Sequence, residues 1–527
     1  MKIYPFALAF AVASIARNPT ATTEVAESVQ LTTIEPSATL AISNIPEDVF
    51  PIPGPGPVMA TDVFSTESTT PATESAASVT IEPEVSAASA KPQFEELFTI
   101  RIDPDHKWLV TEDEMWHYKK TGKSYMDVTN AQELDSRPAP AQEERRLTPF
   151  ATKVSHIRIV EKMARYLSKG VMQTNIDVLS SFYNRYYNSE HGQRSSEWLL
   201  TQVDRIVQAS GADNITVKPV PHKFLQKSVI VIIPGMTDRK IILGAHQDSL
   251  NMTDRRGGRA PGAGCGNAFG NFPRPVADQA FLNQDDNASG TAVLLEALRA
   301  LLTNDVITTG DAPNTIEFHW YAGEEAGLLG SLEIFMDYLV AREDVKAMLN
   351  FDMIGFNKRT TDQNKSAIIG VGADHLVTDP FLSDYVKMLI SNYTTATASS
   401  VSCGFACSDH ASAAWAGYPA AFVSKSSLDG ANPSIHTALD NMTTVDMDSV
   451  LEHARLALAF AYEMGMHDFD MDEVSQAAGE QESNLAHEKQ MNPEPSTEAE
   501  PEPVSDSEPN STLEEESDPS LTTDSSL

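Results

Sequence analysis

The sequence predicts an α/β fold in which a largely parallel sheet is covered by helices on both faces. Short apolar segments typical of buried strands recur between residues 148 and 465, namely 229–233, 241–243, 315–320 and 348–351. Helical segments alternate with them, for example 291–302 and 450–464. Such alternation is typical of three-layer α/β domains, because each connecting helix covers one face of the sheet.

Local signals predict the ends of several elements. Ser195–Glu197 precede apolar residues at helical spacing, and Gly211 follows the last of them, so we expect a capped amphipathic helix between these points. Residues 98–102 alternate like a strand. Thr111–Glu114 carry a capping-box pattern that opens a helix. A small unit with both strand and helix therefore precedes the main domain.

Composition divides the chain into five regions. Lys2 is followed by an apolar run that ends in small residues, which is typical of a signal peptide. Regions poor in aromatic residues and rich in Ser, Thr, Pro or Glu predict disorder on either side of the folded part. The predicted regions are a signal peptide at 1–16, a disordered stretch at 17–93, a small α+β unit at 94–147, the main domain at 148–469 and a disordered acidic tail at 470–527.

The formal net charge of −36 argues against nucleic acid as a partner, because binding phosphates requires a basic surface. The signal peptide predicts a secreted protein, and no other segment is apolar for long enough to cross a membrane. Among three cysteines, Cys403 and Cys407 are the natural disulfide pair, which leaves Cys265 over. Glycosylation of an exported chain is permitted at sequons that begin at Asn214, Asn251, Asn364, Asn392 and Asn441.

Polar residues suited to metal binding follow several of the predicted strands. The five groups are His246-Gln247-Asp248-Ser249, Asp285-Asp286-Asn287-Ala288-Ser289-Gly290, Glu324-Glu325, Asp352 and Ile435-His436-Thr437. Open α/β sheets place their ligand sites at the carboxyl ends of the strands, so most of these groups are expected to meet there. Imidazole and carboxylate ligands suit catalytic zinc, and carboxylates can bridge two ions.

The ordered set of His-x-Asp-Ser, Asp-Asp-x-x-Ser-Gly, Glu-Glu-x-Gly, Asp-Met and Ile-His-Thr resembles the secreted leucyl aminopeptidases, a family of co-catalytic two-zinc peptidases. The resemblance runs from about residue 94 to 465 and includes the Cys403–Ala411 segment. Residues 108–129 resemble the family's propeptide, which inhibits the enzyme until it is removed. The resemblance therefore implies an inhibitory propeptide at 94–147 and a mixed, largely parallel sheet of the zinc exopeptidase type, with Arg145-Arg146 as a candidate processing site.

The resemblance also implies a set of metal ligands. His246 and Asp352 would hold one zinc ion, and Glu325 and His436 would hold the other. Asp285 would bridge the two ions. The substrates would be peptides with a free N-terminus, and the protein would act as a monomer.

The remaining implied roles concern catalysis and selectivity. Glu324 would be the general base and then the general acid, and Asp248 would orient His246. An apolar pocket for the first side chain of the substrate, with a preference for leucine or other apolar residues, would be lined by Met353, Ile435, Phe405 and the Cys403–Cys407 disulfide.

The sequence departs from the family's pattern at two places near these residues. Residues 264–284 separate the usual lead-in, Ala260–Ala263, from the Asp285 group, and Phe405 stands where family members often have tyrosine. Two other functions therefore remain open: a cyclase or carboxypeptidase on the same fold, or an inactive binding ectodomain. All five implied ligands and Glu324 are present, which favours the aminopeptidase.

Overall fold

The apolar segments form strands that supply two sheets. A computed structural model describes residues 95–131, 150–254, 258–260, 286–356, 367–425, 436 and 445–470. Within these ranges the strands are β1 (Leu97–Arg101), β2 (Lys107–Thr111), β3 (Met126–Asp127), β4 (Thr216–Val220), β5 (Ser228–Ile233), β6 (Thr237–His246), β7 (Asn314–Tyr321), β8 (Val345–Phe351), β9 (Ile368–Gly372), β10 (Thr397–Val401) and β11 (Ala420–Ser424).

Helices connect most of these strands. In the same described ranges they are α1 (Glu112–Lys120), α2 (Ile157–Ala164), α3 (Lys169–Ser181), α4 (Glu190–Ser210), α5 (Ala288–Leu301), α6 (Asp305–Thr309), α7 (Leu329–Ala341), α8 (Pro380–Tyr393), α9 (His410–Trp415) and α10 (Met447–Gly465). None of these helices combines the length and the apolar composition that crossing a lipid bilayer requires.

The main sheet has eight strands in the order β10-β9-β11-β8-β6-β7-β5-β4. The central strands β8, β6 and β7 are parallel neighbours, whereas β5 pairs antiparallel with β7, and β11 pairs antiparallel with β9. The sheet is therefore mixed and largely parallel, which confirms the predicted fold class.

Successive side chains of the central strands point to opposite faces of the sheet and supply a separate core on each face. Ile241, Leu243 and Leu349 belong to the larger core, together with side chains from α2 to α6, α8 and α10. Ile242 and Met348 belong to the second core, together with side chains from α7 and α9. The three-layer arrangement follows, because each face of the sheet is covered by its own helices.

Residues 95–131, called the N-terminal segment below, form a small α+β unit. Its sheet has the order β2-β1-β3, and α1 packs against β1 and β2. Thr111 and Glu114 form the expected capping box at the start of α1. The polypeptide from β1 to β3 therefore has defined structure ahead of the main domain.

One predicted helix boundary is wrong. The helix that was expected to start at Ser195–Glu197 begins at Glu190, where the Ser189 side chain accepts a hydrogen bond from the amide of Gly192. The Ser195 hydroxyl instead donates to the Gly192 carbonyl from within the helix. A serine inside a helix can form such a bond to the preceding turn, so a serine alone does not identify the first residue of the helix. The predicted end is confirmed, because Gly211 adopts a left-handed conformation with φ of 74°.

Several expectations concern residues outside the described ranges. They include the signal peptide at 1–16, the stretch at 17–93, Arg145-Arg146, the insertion at 264–284 with Cys265, and the acidic tail from residue 471 onward. These remain predictions from the sequence.

Replacing Glu463 with alanine is expected to lower the free energy of unfolding by about 2–4 kcal/mol, since each buried donor left without an acceptor costs about 1–3 kcal/mol. The buried Glu463 carboxylate accepts hydrogen bonds from the amides of Ser155 (3.0 Å) and His156 (2.8 Å) and from the Tyr393 hydroxyl. Urea denaturation measures the loss. Glu161→Ala, at an exposed position of α2, is the control, and equal stability of the two variants would contradict the prediction.

Candidate active site

Three neighbouring parallel strands deliver the first candidate ligands to one edge of the sheet. His246 is the last residue of β6, the Glu324-Glu325 pair follows β7, and Asp352 follows β8 directly. Because these strands run in the same direction and lie side by side, their carboxyl ends meet. All four side chains are buried, with exposed fractions between 0% and 7%.

The start of α5 brings a further carboxylate to the same edge. Asn287 caps this helix, since its side-chain oxygen accepts from the Gly290 amide at 2.9 Å. Its side-chain nitrogen donates to the carbonyl of Phe351, the last residue of β8, at 2.8 Å. Asp286, immediately before the cap, is thereby held beside the end of β8. His436 is anchored by its backbone carbonyl, which accepts from the Met252 amide at 2.8 Å, and its ring approaches Asp286 as well.

The side chains form two groups that share one carboxylate. In the first, His246 Nε2 lies 2.9 Å from Asp286 Oδ1 and 3.3 Å from Asp352 Oδ1. In the second, His436 Nε2 lies 2.9 Å from Asp286 Oδ2 and 2.9 Å from Glu325 Oε2. Each group offers one nitrogen and two oxygen ligands within 4.8 Å of one another. Asp286 thus presents one oxygen to each group.

Among the described residues, the carboxylate between the two histidines is that of Asp286. Asp285, to which the resemblance assigned the bridge, lies outside the described residues, so that assignment stays a prediction about an undescribed side chain. Two adjacent acidic residues ahead of a helix cannot be distinguished by sequence pattern alone. The helix cap at Asn287 holds Asp286 beside the site, because the cap fixes the chain direction just before it.

Several buried polar atoms of this site make no well-aligned hydrogen bond within the described residues, although some of them lie close to other charged side chains. They are both ring nitrogens of His246, both carboxylate oxygens of Glu325, and Oδ1 of Asp352. Buried polar groups are nearly always satisfied, so ligand atoms concentrated in this way without aligned hydrogen bonds fit a bound metal ion. Nitrogen and oxygen donors of this kind suit zinc, and the shared carboxylate suits a pair of ions.

The pKa shifts of the histidines indicate that the site carries a surplus of negative charge. Burial lowers the pKa of His436, but Glu325 and Asp286 raise it more, to about 10. Burial likewise opposes the charged form of His246, whereas Asp352 and Glu324 raise its pKa well above the usual value. Burial would raise the pKa of Asp286, yet the two histidines hold it well below its usual range. A divalent cation would neutralise this charge.

Two further side chains orient the ligands. Asp248 Oδ1 lies 3.4 Å from His246 Nδ1, and the Asp248 carboxylate accepts from the backbone amides of Glu324 and Glu325, each at 3.1 Å. The Ser408 hydroxyl donates to Asp352 Oδ2 at 2.7 Å. Such contacts fix the direction of a ligand's lone pairs. Asp248 was expected in this role from the sequence, whereas Ser408 was not.

Glu324, like Asp248, is a buried carboxylate beside the ligands that belongs to neither ligand group. Burial raises its pKa well above the usual value, and Glu325 and Asp409 add to this effect, whereas Lys119 and His246 oppose it. A carboxyl group in such surroundings can accept and return a proton near neutral pH. The position beside both groups is consistent with the expected role of general base.

The residues expected to line a substrate pocket are only partly brought together. Phe405 packs against the second core, with its ring centroid 6.0 Å from that of Trp415. Cys403 and Cys407 on either side of it are joined by a disulfide. Met353 is half-buried beside Asp352, and Ile435 lies outside the described residues. The pocket roles of these residues remain predictions.

A lysine from the N-terminal segment reaches the candidate site. Lys119 Nζ lies 2.6 Å from Glu325 Oε2 and 3.9 Å from Glu324 Oε2, and it donates to the backbone carbonyl of Glu325 at 2.5 Å. Sequence reasoning missed this residue, because α1 and the Glu324-Glu325 pair are more than 200 residues apart. A basic residue in the last turn of a helix is too common a pattern to signal such a contact.

Comparisons with known proteins agree with this geometry. The profile of Peptidase family M28 matches residues 228–461. Leucine aminopeptidase 1 of Grosmannia clavigera is 42% identical over 394 residues, covering 74% of this chain and 89% of the relative. Leucine aminopeptidase 1 of Neurospora crassa is 40% identical over 384 residues, covering 72% and 88% respectively. The crystal structure of the Legionella pneumophila LapA aminopeptidase superimposes with a TM-score of 0.56 at 25% identity, covering 70% of this chain and 94% of that one.

The region matched by the family profile contains both ligand groups and Glu324. The relatives match over most of their own length, so the similarity extends well beyond a local motif. The chain therefore belongs to peptidase family M28 and is a zinc-dependent aminopeptidase.

Proposed function

We propose that this protein is an extracellular aminopeptidase that uses two zinc ions to remove the N-terminal residue of peptides, preferably leucine or another apolar residue. The observation that carries the proposal is the position of Asp286, whose two oxygens each lie 2.9 Å from a different histidine. One carboxylate shared in this way suits a pair of metal ions, because it can contribute an oxygen to each of them.

His246, Asp286 and Asp352 would hold one ion, and Asp286, Glu325 and His436 would hold the other. When bound, the ions would polarise the scissile carbonyl and lower the pKa of water towards about 7. Glu324 would accept the proton of the attacking water and deliver it to the departing amine. Asp248 supports this step, since it holds the backbone of the Glu324-Glu325 pair and orients His246.

Selectivity for an apolar first residue is supported by the side chains beside the site. Leu328, four residues beyond Glu324, belongs to the buried second core, as do Ala406 and Trp415. Phe405 packs against the same core. If apolar side chains from this region line the substrate position, they would favour an aliphatic side chain over a charged one. The two relatives described above are named leucine aminopeptidases, which agrees with this preference.

We further propose that the chain is secreted as a monomeric precursor from which the N-terminal segment must be removed. The signal-peptide pattern at residues 1–16 supports export. The contact of Lys119 with Glu324 and Glu325 supports inhibition, because the N-terminal segment then lies against the proposed base. N-terminal sequencing of protein from culture medium would identify both cleavage sites, and light scattering would give its mass in solution.

The test is zinc content together with hydrolysis of leucyl p-nitroanilide, on protein cleaved after the N-terminal segment. We expect two zinc ions per chain, turnover that a chelator abolishes, and no turnover of the N-acetylated substrate. Full turnover with one ion would overturn the two-zinc mechanism. A folded protein with neither zinc nor turnover would indicate a binding ectodomain instead.

A further inference from the structure

The ammonium group of Lys119 is a buried cation within the candidate active site. Lys119 lies in the last turn of α1, and its side chain is 15% exposed. It lies within 4 Å of two carboxylates, those of Glu325 and Glu324, and oppositely charged neighbours at such distances favour the charged form of a lysine. It donates to the Glu325 carbonyl at 2.5 Å and lies 2.6 Å from Glu325 Oε2, whereas Glu324 Oε2 is farther away, at 3.9 Å.

The oxygen nearest to this ammonium group is also a candidate metal ligand. Glu325 Oε2 lies 2.6 Å from Lys119 Nζ and 2.9 Å from His436 Nε2. A zinc ion held by Glu325 would lie about 2.0–2.2 Å from a carboxylate oxygen. The lysine and the ion would therefore approach the same carboxylate group and repel each other in a site from which water is largely excluded.

Other contacts keep the N-terminal segment in place around Lys119. The Asp127 amide donates to the Gly327 carbonyl at 3.0 Å, and Lys223 donates to the Asn130 side chain at 2.8 Å. Gly327 admits this close approach, because a Cβ atom there would lie 2.9 Å from the Tyr125 ring. The ammonium group thus cannot leave Glu325 freely while the segment remains docked.

The two ligand groups differ in their relation to Lys119. The ion pairs of Lys119 within the described residues are with Glu325 and Glu324, and neither of these belongs to the His246–Asp286–Asp352 group. A first metal ion bound at that group would therefore have ligands that form no ion pair with Lys119. The effect of the lysine therefore falls mainly on the second ion.

We propose that Lys119 acts as a built-in cation at the Asp286–Glu325–His436 group, so that docking of the N-terminal segment and binding of the second metal ion weaken each other. The proposal rests on the two-metal function put forward above. Because coupling between two binding events is reciprocal, an ion that enters this group also loosens the segment. Removal of the segment and completion of the metal centre then become linked steps.

The test measures metal binding by the uncleaved full-length chain, without any activity assay. Wild type, Lys119→Met and Lys120→Met are stripped of metal and titrated with zinc in competition with a chromophoric chelator. Methionine keeps most of the length of the lysine side chain and removes its charge. Lys120 is the next residue of the same helix and is exposed, so its replacement is the matched control.

We expect wild type and Lys120→Met to bind a second zinc equivalent at least about tenfold more weakly than Lys119→Met, a difference of about 1.4 kcal/mol. Lys119→Gln should behave like Lys119→Met, and circular dichroism verifies that each variant is folded. Equal second affinities in wild type and both Lys119 variants would overturn the proposal but leave the two-metal function intact. Failure of all variants to bind more than one ion would overturn both.

Discussion

Replacing Asp286 with asparagine is expected to lower kcat/KM for leucyl p-nitroanilide by about 10³-fold or more in the cleaved protein. The Asp286 carboxylate presents one oxygen to each histidine, so its loss weakens both candidate metal positions at once. Metal ions contribute several kcal/mol to hydrolytic catalysis, and each 1.36 kcal/mol corresponds to a factor of ten in rate. Zinc content, measured by elemental analysis after dialysis, should fall below two ions per chain.

Asp285→Asn is the matched control, because it makes the same chemical change one residue earlier in the chain. If Asp286 is the bridge, this variant should keep two zinc ions and a rate within a few-fold of the wild type. The reverse pattern, with Asp285→Asn inactive and Asp286→Asn unaffected, would instead support the assignment that the family resemblance implied. The pair of variants therefore decides between two adjacent carboxylates.

Glu324→Gln is expected to lower kcat by about 10²–10⁴-fold, the usual contribution of a general base, while zinc content stays at two ions per chain. Glutamine keeps the size of the side chain, and Asp248 can still accept from the backbone amides of both residues of the pair. The acidic limb of the pH profile of kcat/KM, which reports protonation of the base, should disappear. Steady-state kinetics between pH 5 and 9 and elemental analysis measure both effects.

Glu197→Gln, at an exposed position of α4, is the control for Glu324→Gln and should leave the kinetics unchanged. Zinc content distinguishes this variant from Asp286→Asn, because only Asp286→Asn is expected to lose zinc. Loss of activity together with loss of zinc in Glu324→Gln would identify Glu324 as a ligand and not as the base. Retention of full activity would show that another group moves the proton.

Much of the fold could be predicted from the chain because it follows from local patterns. The apolar segments at 229–233 and 348–351 lie within the observed strands β5 and β8, and the helix predicted at 450–464 lies within α10. Strand and helix periodicities depend on a few consecutive residues, so they can be recognised without knowledge of the tertiary structure. The start of α4 was misplaced because several serines near it can serve as helix caps, and only packing selects Ser189.

The candidate site was predictable to the extent that its ligands follow strands. His246 and Asp352 follow parallel neighbours, β6 and β8, so the alternation of strands and helices already brings them to one edge. The choice of Asp286 over Asp285 could not be made in this way. Both residues are acidic and precede the same helix, so the sequence pattern treats them alike, whereas the structure shows that the Asn287 cap holds Asp286 at the histidines.

By itself, the sequence determined the α/β class, the order of the elements and the kinds of side chain available for a zinc centre, because these depend on local periodicity and on residue chemistry. Only the tertiary structure decided that Ser408 orients Asp352 and that Lys119 lies against Glu325. The physical reason is distance along the chain. A contact between residues 56 or 206 positions apart depends on how whole elements pack, and no local pattern encodes that packing.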